Sequence, residues 1–458
     1  MYRGRFRKIH FIGIGGSGMN GIAEVLLNMG YEVSGSDISS TDATERLGRL
    51  GAVIFHGHAK ANVRGSDCVV YSSAVKKSNP EFEEAVSLHI PVIPRAEMLA
   101  ELMRMKYGVA VAGMHGKTTA TSMAASVLAL GGIDPTIVIG GRLNSLGANA
   151  RLGAGEYLIA EADESDGSFL KLTPVIAVVT NIDREHMDHY KDMDEIISTF
   201  LSFMNKVPFY GSVVVCLDDP ILQGLLPCIT RRLITYGFSA QSDLNARAVW
   251  QEGSRTSFDV FSANTPLGRV AINMPGRHNV LNALAAIAVA RELDIDFSAI
   301  KAGLEGFAGV ERRFQIRGRE KDIMIVDDYG HHPVEIRAVI KAAKEGWKTS
   351  RTIVVFQPHR YTRTKDLFTE FLSAFNDAEK LVLTDIYPAG EAPIDGITGE
   401  RLFCEIKNHG HKDVVFVPYV KDVALYLKEI VKPGDMVITM GAGDVWKAGV
   451  RLLSTLAQ

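Results

Sequence analysis

The sequence predicts an α/β protein of three consecutive domains, each built on a mainly parallel sheet. Three observations lead there. Short apolar strands alternate with helically spaced apolar residues, a pattern that buries a parallel sheet between helices. The alternation restarts twice, at Tyr107 and near Gln315–Lys321. The length, 458 residues, calls for two to four domains rather than one core. The boundaries drawn from these restarts are 1–106, 107–316 and 317–458.

In the first unit, Lys8–Gly13 reads as a buried strand. Ser17–Met29 carries helical spacing through Met19, Ile22, Ala23, Leu26 and Leu27 and stops at Gly30, a residue suited to the left-handed turn after a helix. Glu32–Asp37, Ala52–His56, Asp67–Tyr71 and Pro91–Ile93 are further strands, and Pro80 can begin the helix Glu81–Leu88. The second unit opens with the strand Val109–Ala112, a glycine loop and a helix over Lys117–Leu130. Strands are expected at Thr136–Ile139, Tyr157–Ala160, Val175–Thr180 and Val213–Leu217. Leu244–Asn273 has alternating, turn-rich character and predicts a small antiparallel patch, and Pro275–Leu293 returns to helix. In the third unit the strands are Ile323–Asp327, Thr352–Phe356, Lys380–Asp385, Val414–Val417 and Met436–Met440.

A formal charge of −3 argues against a general nucleic-acid or anionic-membrane surface. No apolar run is long enough to span a bilayer. The basic start suggests a signal peptide, but its apolar stretch is broken at once by Gly13, Gly15, Gly16 and Gly18, which argues against a signal-peptide core. The widely spaced Cys68, Cys216, Cys228 and Cys404 suit reduced thiols in the cytoplasm rather than zinc or a disulfide scaffold. Nothing in the pattern sets an oligomeric state.

Two glycine loops carry the chemistry. Gly13-Ile-Gly-Gly-Ser-Gly18 follows a strand and opens a helix, whose N-terminus favours a diphosphate, and Asp37 closes the next strand, where a ribose is commonly met. That loop alone fits NAD, FAD, a nucleotide-sugar or a bare turn. Gly113-Met-His-Gly-Lys-Thr-Thr119 is more specific, although Val111 replaces the first glycine of the usual spacing. Its backbone can cradle phosphate, Lys117 can reach the β/γ oxygens and Thr118 can bind Mg²⁺. Glu161, Asp163, Glu164 and Asp166 end one strand, and His186 and Asp188 follow another, where metal ligands gather beside such a loop. A solvated acidic loop is the plain reading for some of them. His278, Asn279 and Asn282 could be ordinary helix caps, and Arg312-Arg313 surface charge. Asp327–Pro333 and Gln357–Arg363 each crowd polar groups after an apolar strand, and paired arginines at 360 and 363 suit a carboxylate or phosphate clamp.

Together these stretches resemble the Mur ligase family along essentially the whole chain, through His10–Gly18, Gly113–Thr119, Glu161–Phe169, Thr180–Tyr190, Gly276–Ala286, Gly309–Phe314, Asp327–Pro333 and Gln357–Arg363. The resemblance departs at Met114, where the family usually has Thr. It implies a Rossmann-like first domain for a UDP substrate, a P-loop ATPase middle domain and a Rossmann-like third domain for an amino acid. It also implies the reaction. The ATP γ-phosphate passes to the carboxylate of UDP-N-acetylmuramate, L-alanine attacks the acyl phosphate, and ADP and phosphate leave, in peptidoglycan precursor synthesis. By motif, Gly15, Gly16, Ser17, Gly18, Asp37, Ser72 and Ser73 serve UDP. Gly113, Met114, His115, Gly116, Lys117, Thr118 and Thr119, with His278, Asn282, Arg313 and Asp328, serve ATP. Thr118, Glu161, Glu164 and His186 hold Mg²⁺. His331, His359, Arg360 and Arg363 meet the amino acid, and Lys117, His186, His331, Arg360 and Arg363 are the catalytic set. Three other readings remain: a sister ligase attaching a ready-made peptide, a nicotinamide dehydrogenase on the first loop, and a non-catalytic nucleotide switch. Neither of the last two explains the whole set of blocks.

Overall fold

The computed structural model describes residues 6–72, 74–143, 148–347 and 351–458. β1 (Lys8–Ile12), β2 (Glu32–Asp37), β3 (Val53–His56), β4 (Cys68–Tyr71) and β5 (Val92–Pro94) form a parallel sheet in the order β3-β2-β1-β4-β5. Successive side chains of β1 enter different cores, Phe11 one and Ile12 the other, as a sheet covered on both faces requires.

The second sheet contains β6 (Tyr107–Ala112), β7 (Thr136–Leu143), β8 (Ala148–Arg151), β9 (Tyr157–Glu161), β10 (Ile176–Val179), β11 (Ser212–Cys216), β12 (Arg232–Gly237), β13 (Leu244–Glu252), β14 (Arg255–Ser262) and β15 (Thr265–Ile272). Their order is β15-β14-β13-β12-β11-β10-β6-β9-β7-β8. The expected antiparallel patch is β13–β15, and it extends this sheet through a short parallel pairing of β13 with β12. β8 and β12 are additional to the expected strands, and β12 opens on exposed Arg232 and lacks a continuous apolar run. Helices Lys117–Leu130 and Arg277–Glu292 pack side by side on one face. Ten of the sixteen residues of the second are alanine, leucine, isoleucine or valine, and nearly all are buried, so it reads as apolar all round.

The third sheet has the order β16-β17-β21-β18-β19-β20, from β16 (Gln315–Glu320), β17 (Ile323–Asp328), β18 (Thr352–Phe356), β19 (Lys380–Leu383), β20 (Val414–Phe416) and β21 (Met436–Met440). The edge strand β16 pairs antiparallel to β17, and the other pairings are parallel. β16 begins at Gln315, so the boundary expected between 316 and 317 falls inside a strand of the third sheet.

The two junctions between sheets differ. One apolar cluster runs without a break from Ile9 in the first sheet to Val310 after the second, whereas the third sheet keeps its own two clusters. Helix Ser17–Asn28 leans on β7 and β8, and a Cβ at Gly21 would lie 3.0 Å from that of Ala150. That helix comes this close to the second sheet because position 21 has no side chain.

Candidate active site

In all three sheets the candidate residues gather at the carboxyl ends of neighbouring strands, where parallel sheets open a crevice. In the first, β2, β1 and β4 lie side by side and deliver Asp37, Gly13 and Ser72. Asp37 turns one carboxylate oxygen to the Gly15 N–H at 2.9 Å and the other to the Ser39 N–H at 3.1 Å, so it fixes the loop itself. Ser72 accepts the Ala74 N–H at 3.3 Å. The helix begins on Gly16 with neither a side-chain cap nor an acidic residue in its first turn. Gly18 also has a steric role: a Cβ there would sit 2.8 Å from Nη1 of Arg95, so its bareness makes room for a guanidinium. Ser73 and the side chain of Ser17 lie outside the described residues.

In the second sheet, β10, β6 and β9 are neighbours and carry Thr180–Asn181, the phosphate loop and Glu161 at their ends. Gly113 has φ +133°, and a Cβ there would come 2.1 Å from Thr180 Oγ1. Gly116 has φ +82°, and its Cβ would come 2.5 Å from Asn282 Oδ1. Both glycines are therefore required by conformation and by space. Asn181 anchors the loop from outside, accepting the His115 N–H at 2.9 Å through Oδ1 and the Met114 N–H at 3.3 Å through its carbonyl. Met114 thus takes part through its backbone, and its buried side chain lines the cavity.

Lys117 opens the helix and donates to the Gly113 carbonyl at 2.6 Å and to Glu164 Oε1 at 2.6 Å. Burial opposes the ammonium charge, but Glu164 and Glu161 outweigh it and hold the group above the usual lysine range. Thr118 Oγ1 donates to Glu161 at 3.0 Å, and Gly140 N–H also reaches that carboxylate at 2.9 Å. His186 Nε2 lies 3.4 Å from Glu164 Oε1. The other oxygen of Glu164 is buried with no hydrogen-bond partner, an uncompensated acceptor that a hard cation suits. Among the described residues, the tightest set of histidines and carboxylates is instead His115, Asp183 and His332 at the next domain. There His115 bonds Asp183 at 3.1 Å and faces Glu335 at 3.4 Å. Burial disfavours the charge on His115, but Asp183 and Glu335 overcome it and push the imidazole up to about 10. Those two carboxylates thus favour the charged form of this histidine, within a network that joins the second and third units.

The third sheet presents β17, β21 and β18 together, with Asp328, the Gly441–Asp444 loop and Gln357–Arg363 at their ends. Arg363 donates from Nε and Nη2 to Glu185 Oε1 at 3.1 and 2.8 Å, across the domain junction, and from Nη1 to the His359 carbonyl at 3.3 Å. His331 lies 3.6 Å from the same Glu185. Burial opposes charge on Glu185, but His331 and Arg363 hold its carboxyl well below the usual range. Arg360 is freer, 40% exposed and 3.7 Å from Asp188. His359 stacks on Tyr387 with ring centroids 5.5 Å apart, and burial, followed by the cations around it, drives it down to about 3. His186, Arg312, Phe314 and Arg360 in this region adopt positive φ, as do other non-glycine residues elsewhere in the chain.

A cavity of about 640 Å³ joins the two sets: Lys117, Thr118, Glu161, Glu164, Glu185 and His186 on one side, Arg313, His331, His359, Arg360 and Arg363 on the other. A second, more apolar cavity of about 420 Å³ adjoins it, lined by Thr119, Tyr236, His278, Asn282, Phe314, Asp328 and Val339. Burial lowers His278 to about 4, leaving a neutral imidazole beside Asn282. Burial raises Asp328 to about 6, although it accepts the Phe314 and Gly330 N–H groups at 2.7 Å each. Arg312 departs from the surface-charge reading: it is tied to Asp327 at 3.1 Å and to the carbonyls of Gly441 and Gly443 at 2.6 and 3.2 Å. Sequence reading missed Arg95, Asp183, Glu185 and Glu335. Asp183 and Glu185 carried a signal, their place in the Thr180–Tyr190 block that holds His186.

Residues 8–107 match the description "Mur ligase family, catalytic domain", residues 111–290 "Mur ligase middle domain" and residues 312–443 "Mur ligase, glutamate ligase domain". A UDP-N-acetylmuramate–L-alanine ligase of Geotalea uraniireducens is 62% identical over 453 residues, 99% of each chain. The crystal structure of the UDP-N-acetylmuramate–alanine ligase of Thermotoga maritima is 29% identical, with a TM-score of 0.82 over 98% of this chain and 99% of that one. A murein peptide ligase of Psychrobacter arcticus, 24% identical, shares the fold with a TM-score of 0.70 over 99% of both chains.

Proposed function

The chain belongs to the Mur ligase family, and from that premise we propose that it joins L-alanine to UDP-N-acetylmuramate at the expense of ATP, in peptidoglycan precursor synthesis. The observation that carries the reading is the single cavity in which a phosphate loop from one sheet faces two arginines and two histidines from another. A carboxylate is a poor electrophile, so the amide needs an activated acid. The substrate carboxylate oxygen bonds to the γ-phosphorus and ADP leaves. The neutral amine nitrogen of L-alanine then bonds to the acyl carbon and gives up a proton to solvent, and the tetrahedral intermediate collapses with cleavage of the acyl C–O bond and departure of phosphate.

Lys117 sits where negative charge grows on the transferring phosphoryl group. The adenine enters the apolar cavity against His278 and Asn282, and Arg313 and Asp328 meet phosphate and ribose. Thr118, Glu161, Glu164 and His186 suit Mg²⁺, whose bound charge would neutralise the phosphate oxygens. The buried, unpartnered oxygen of Glu164 supports that fit. Gly15, Gly16, Ser17, Gly18, Asp37, Ser72 and Ser73 form the UDP-side set. Arg360 holds the carboxylate of L-alanine, His331 and His359 flank it, and Arg363, braced by Glu185, sets the geometry. The three units, 1–106, 107–316 and 317–458, then hold UDP substrate, ATP and amino acid, with the last boundary moved back to admit the whole of β16. Closure of the third on the second excludes water that would hydrolyse the acyl phosphate. The setting is cytoplasmic, without membrane or nucleic-acid partners, and no helix among the described residues is long and apolar enough to cross a membrane.

The test is ATP-dependent product formation with UDP-N-acetylmuramate and, in parallel, L-alanine, glycine, L-serine and a ready-made peptide. L-alanine should give the highest kcat/KM, with glycine and L-serine within about 100-fold because a pocket discriminates weakly over one small group. Preference for the peptide would transfer the chain to the sister activity.

A further inference from the structure

We infer that Arg95 is a substrate-holding residue, whose guanidinium takes an anionic oxygen of the UDP-linked acid between the first glycine loop and the acyl-transfer cavity. The inference rests on the reading that the first loop binds the UDP substrate. Arg95 begins the helix Arg95–Met103, directly after β5. Its Nη2 donates to Asp163 Oδ2 at 2.7 Å, crossing from the first unit to the second. The other arm of the fork faces Gly18, in the first turn of the loop's helix, where a Cβ would lie 2.8 Å from Nη1 and 3.0 Å from Cδ. A side chain at position 18 would displace the guanidinium.

The cation therefore stands between two ends of one path. One end is the first glycine loop, and the other is the cavity that Asp163 lines with Lys117 and Glu164. A substrate with its nucleotide at Asp37 and its carboxylate at Lys117 lies along that path, carrying a diphosphate and an acid. Asp163 is a replaceable partner. The pair is partly open to solvent, 23% and 41% exposed, and exposed ion pairs are weakly held. A planar fork binds phosphate or carboxylate oxygens through two parallel charge-assisted bonds, which a lysine cannot copy.

The experiment is calorimetric titration of the full chain with UDP-N-acetylmuramate, without ATP or Mg²⁺, on the wild type, Arg95→Ala, Arg95→Lys and Asp163→Asn. The wild type should bind, Arg95→Ala should lose at least tenfold in affinity, and Arg95→Lys should lose less. Asp163→Asn should bind as tightly as the wild type or more tightly, because the guanidinium is released. ATP affinity, titrated separately, should stay within threefold for the two Arg95 variants. Wild-type affinity in either Arg95 variant overturns the inference. So does an Asp163→Asn loss equal to that of the Arg95 variants, which makes Arg95 a strut between domains. If Arg95→Ala does not fold, Arg95→Lys and Asp163→Asn decide by the same criteria. Failure of the wild type to bind overturns instead the reading of the glycine loop.

Discussion

The junction between the first and second sheets rests on a shared apolar core, crossed by the Arg95–Asp163 and Lys171–Glu97 ion pairs, whereas that between the second and third is mainly ionic. At the first, a continuous cluster and a bare Gly21 bring the sheets into van der Waals contact. At the second, His115 meets Glu335, Arg363 meets Glu185 and Arg360 faces Asp188. Separating such a junction would expose its apolar surface to water, which is unfavourable roughly in proportion to the area exposed. Ion pairs exchange partners with anionic substrates and with water at modest cost, which suits a junction that must admit ATP and an amino acid and then close. The two glycine loops follow the same division. Asp37, from the adjacent strand, holds the first within its own sheet, while the second reaches through His115 to the third unit.

The largest effect that sharpens this comparison is at Lys117. Lys117→Ala should reduce turnover by about 100-fold or more, equivalent to roughly 2.7 kcal/mol or more of barrier, with the fold kept, as checked by steady-state kinetics and circular dichroism. Near-normal turnover in the folded variant would remove the phosphate loop from the chemistry. Next come the two arginines. Both donor edges of Arg363 are engaged, whereas Arg360 is half open. Arg363→Lys should therefore lower kcat by about tenfold, and Arg360→Lys should chiefly raise the KM for L-alanine, by a similar factor, since lysine copies the charge but not the fork. Equal, unsplit effects would mean that Glu185 does not divide their roles.

A smaller effect is expected at His115. His115→Asn and Glu335→Gln should each lower kcat several-fold and combine with a coupling of about 0.5–3 kcal/mol in a double-mutant cycle, as partners in one network do. Strict additivity would show that the ionic junction does not tie the loop to the third unit.

Much of this was legible because it is local. Gly113–Thr119 shows itself by strand, glycines and lysine in one short run, and the carboxyl-end positions of Asp37, Asp328 and Arg360 follow from where their strands stop. What escaped is pairing across the chain. Arg363 and Glu185 are 178 residues apart and Arg95 and Asp163 are 68, so no spacing rule joins them. The neighbour of Gly18 escaped for the same reason: a glycine announces missing bulk, and only the fold says that Arg95 uses the room. β8 and β12 escaped because sheet pairing, rather than their own hydrophobicity, makes them strands.

The smallest effect at neutral pH should emerge on acidification. Burial lowers His278 and His332 to about 4 and His359 to about 3, against about 6.5 in an unfolded chain. Their folded values are depressed below the unfolded one, so the unfolded chain binds the extra protons. The stability of the neutral forms is present above about pH 6.5 and is lost as pH falls toward 4. His115 has the opposite sign: its contribution, present below about 6.5, is lost as pH rises toward 10. His278 belongs to the second unit and His332 and His359 to the third, so calorimetry should show the third unit losing more in Tm between pH 7 and pH 4.5 than the fused first and second. An equal loss in both would contradict the division between the two junctions.

The most direct test is phosphate release from ATP by the wild-type chain, with UDP-N-acetylmuramate and L-alanine added singly and together. The account predicts sustained release only with both, one phosphate per amide formed. Equally fast release with ATP alone, or amide formed without phosphate, would contradict it.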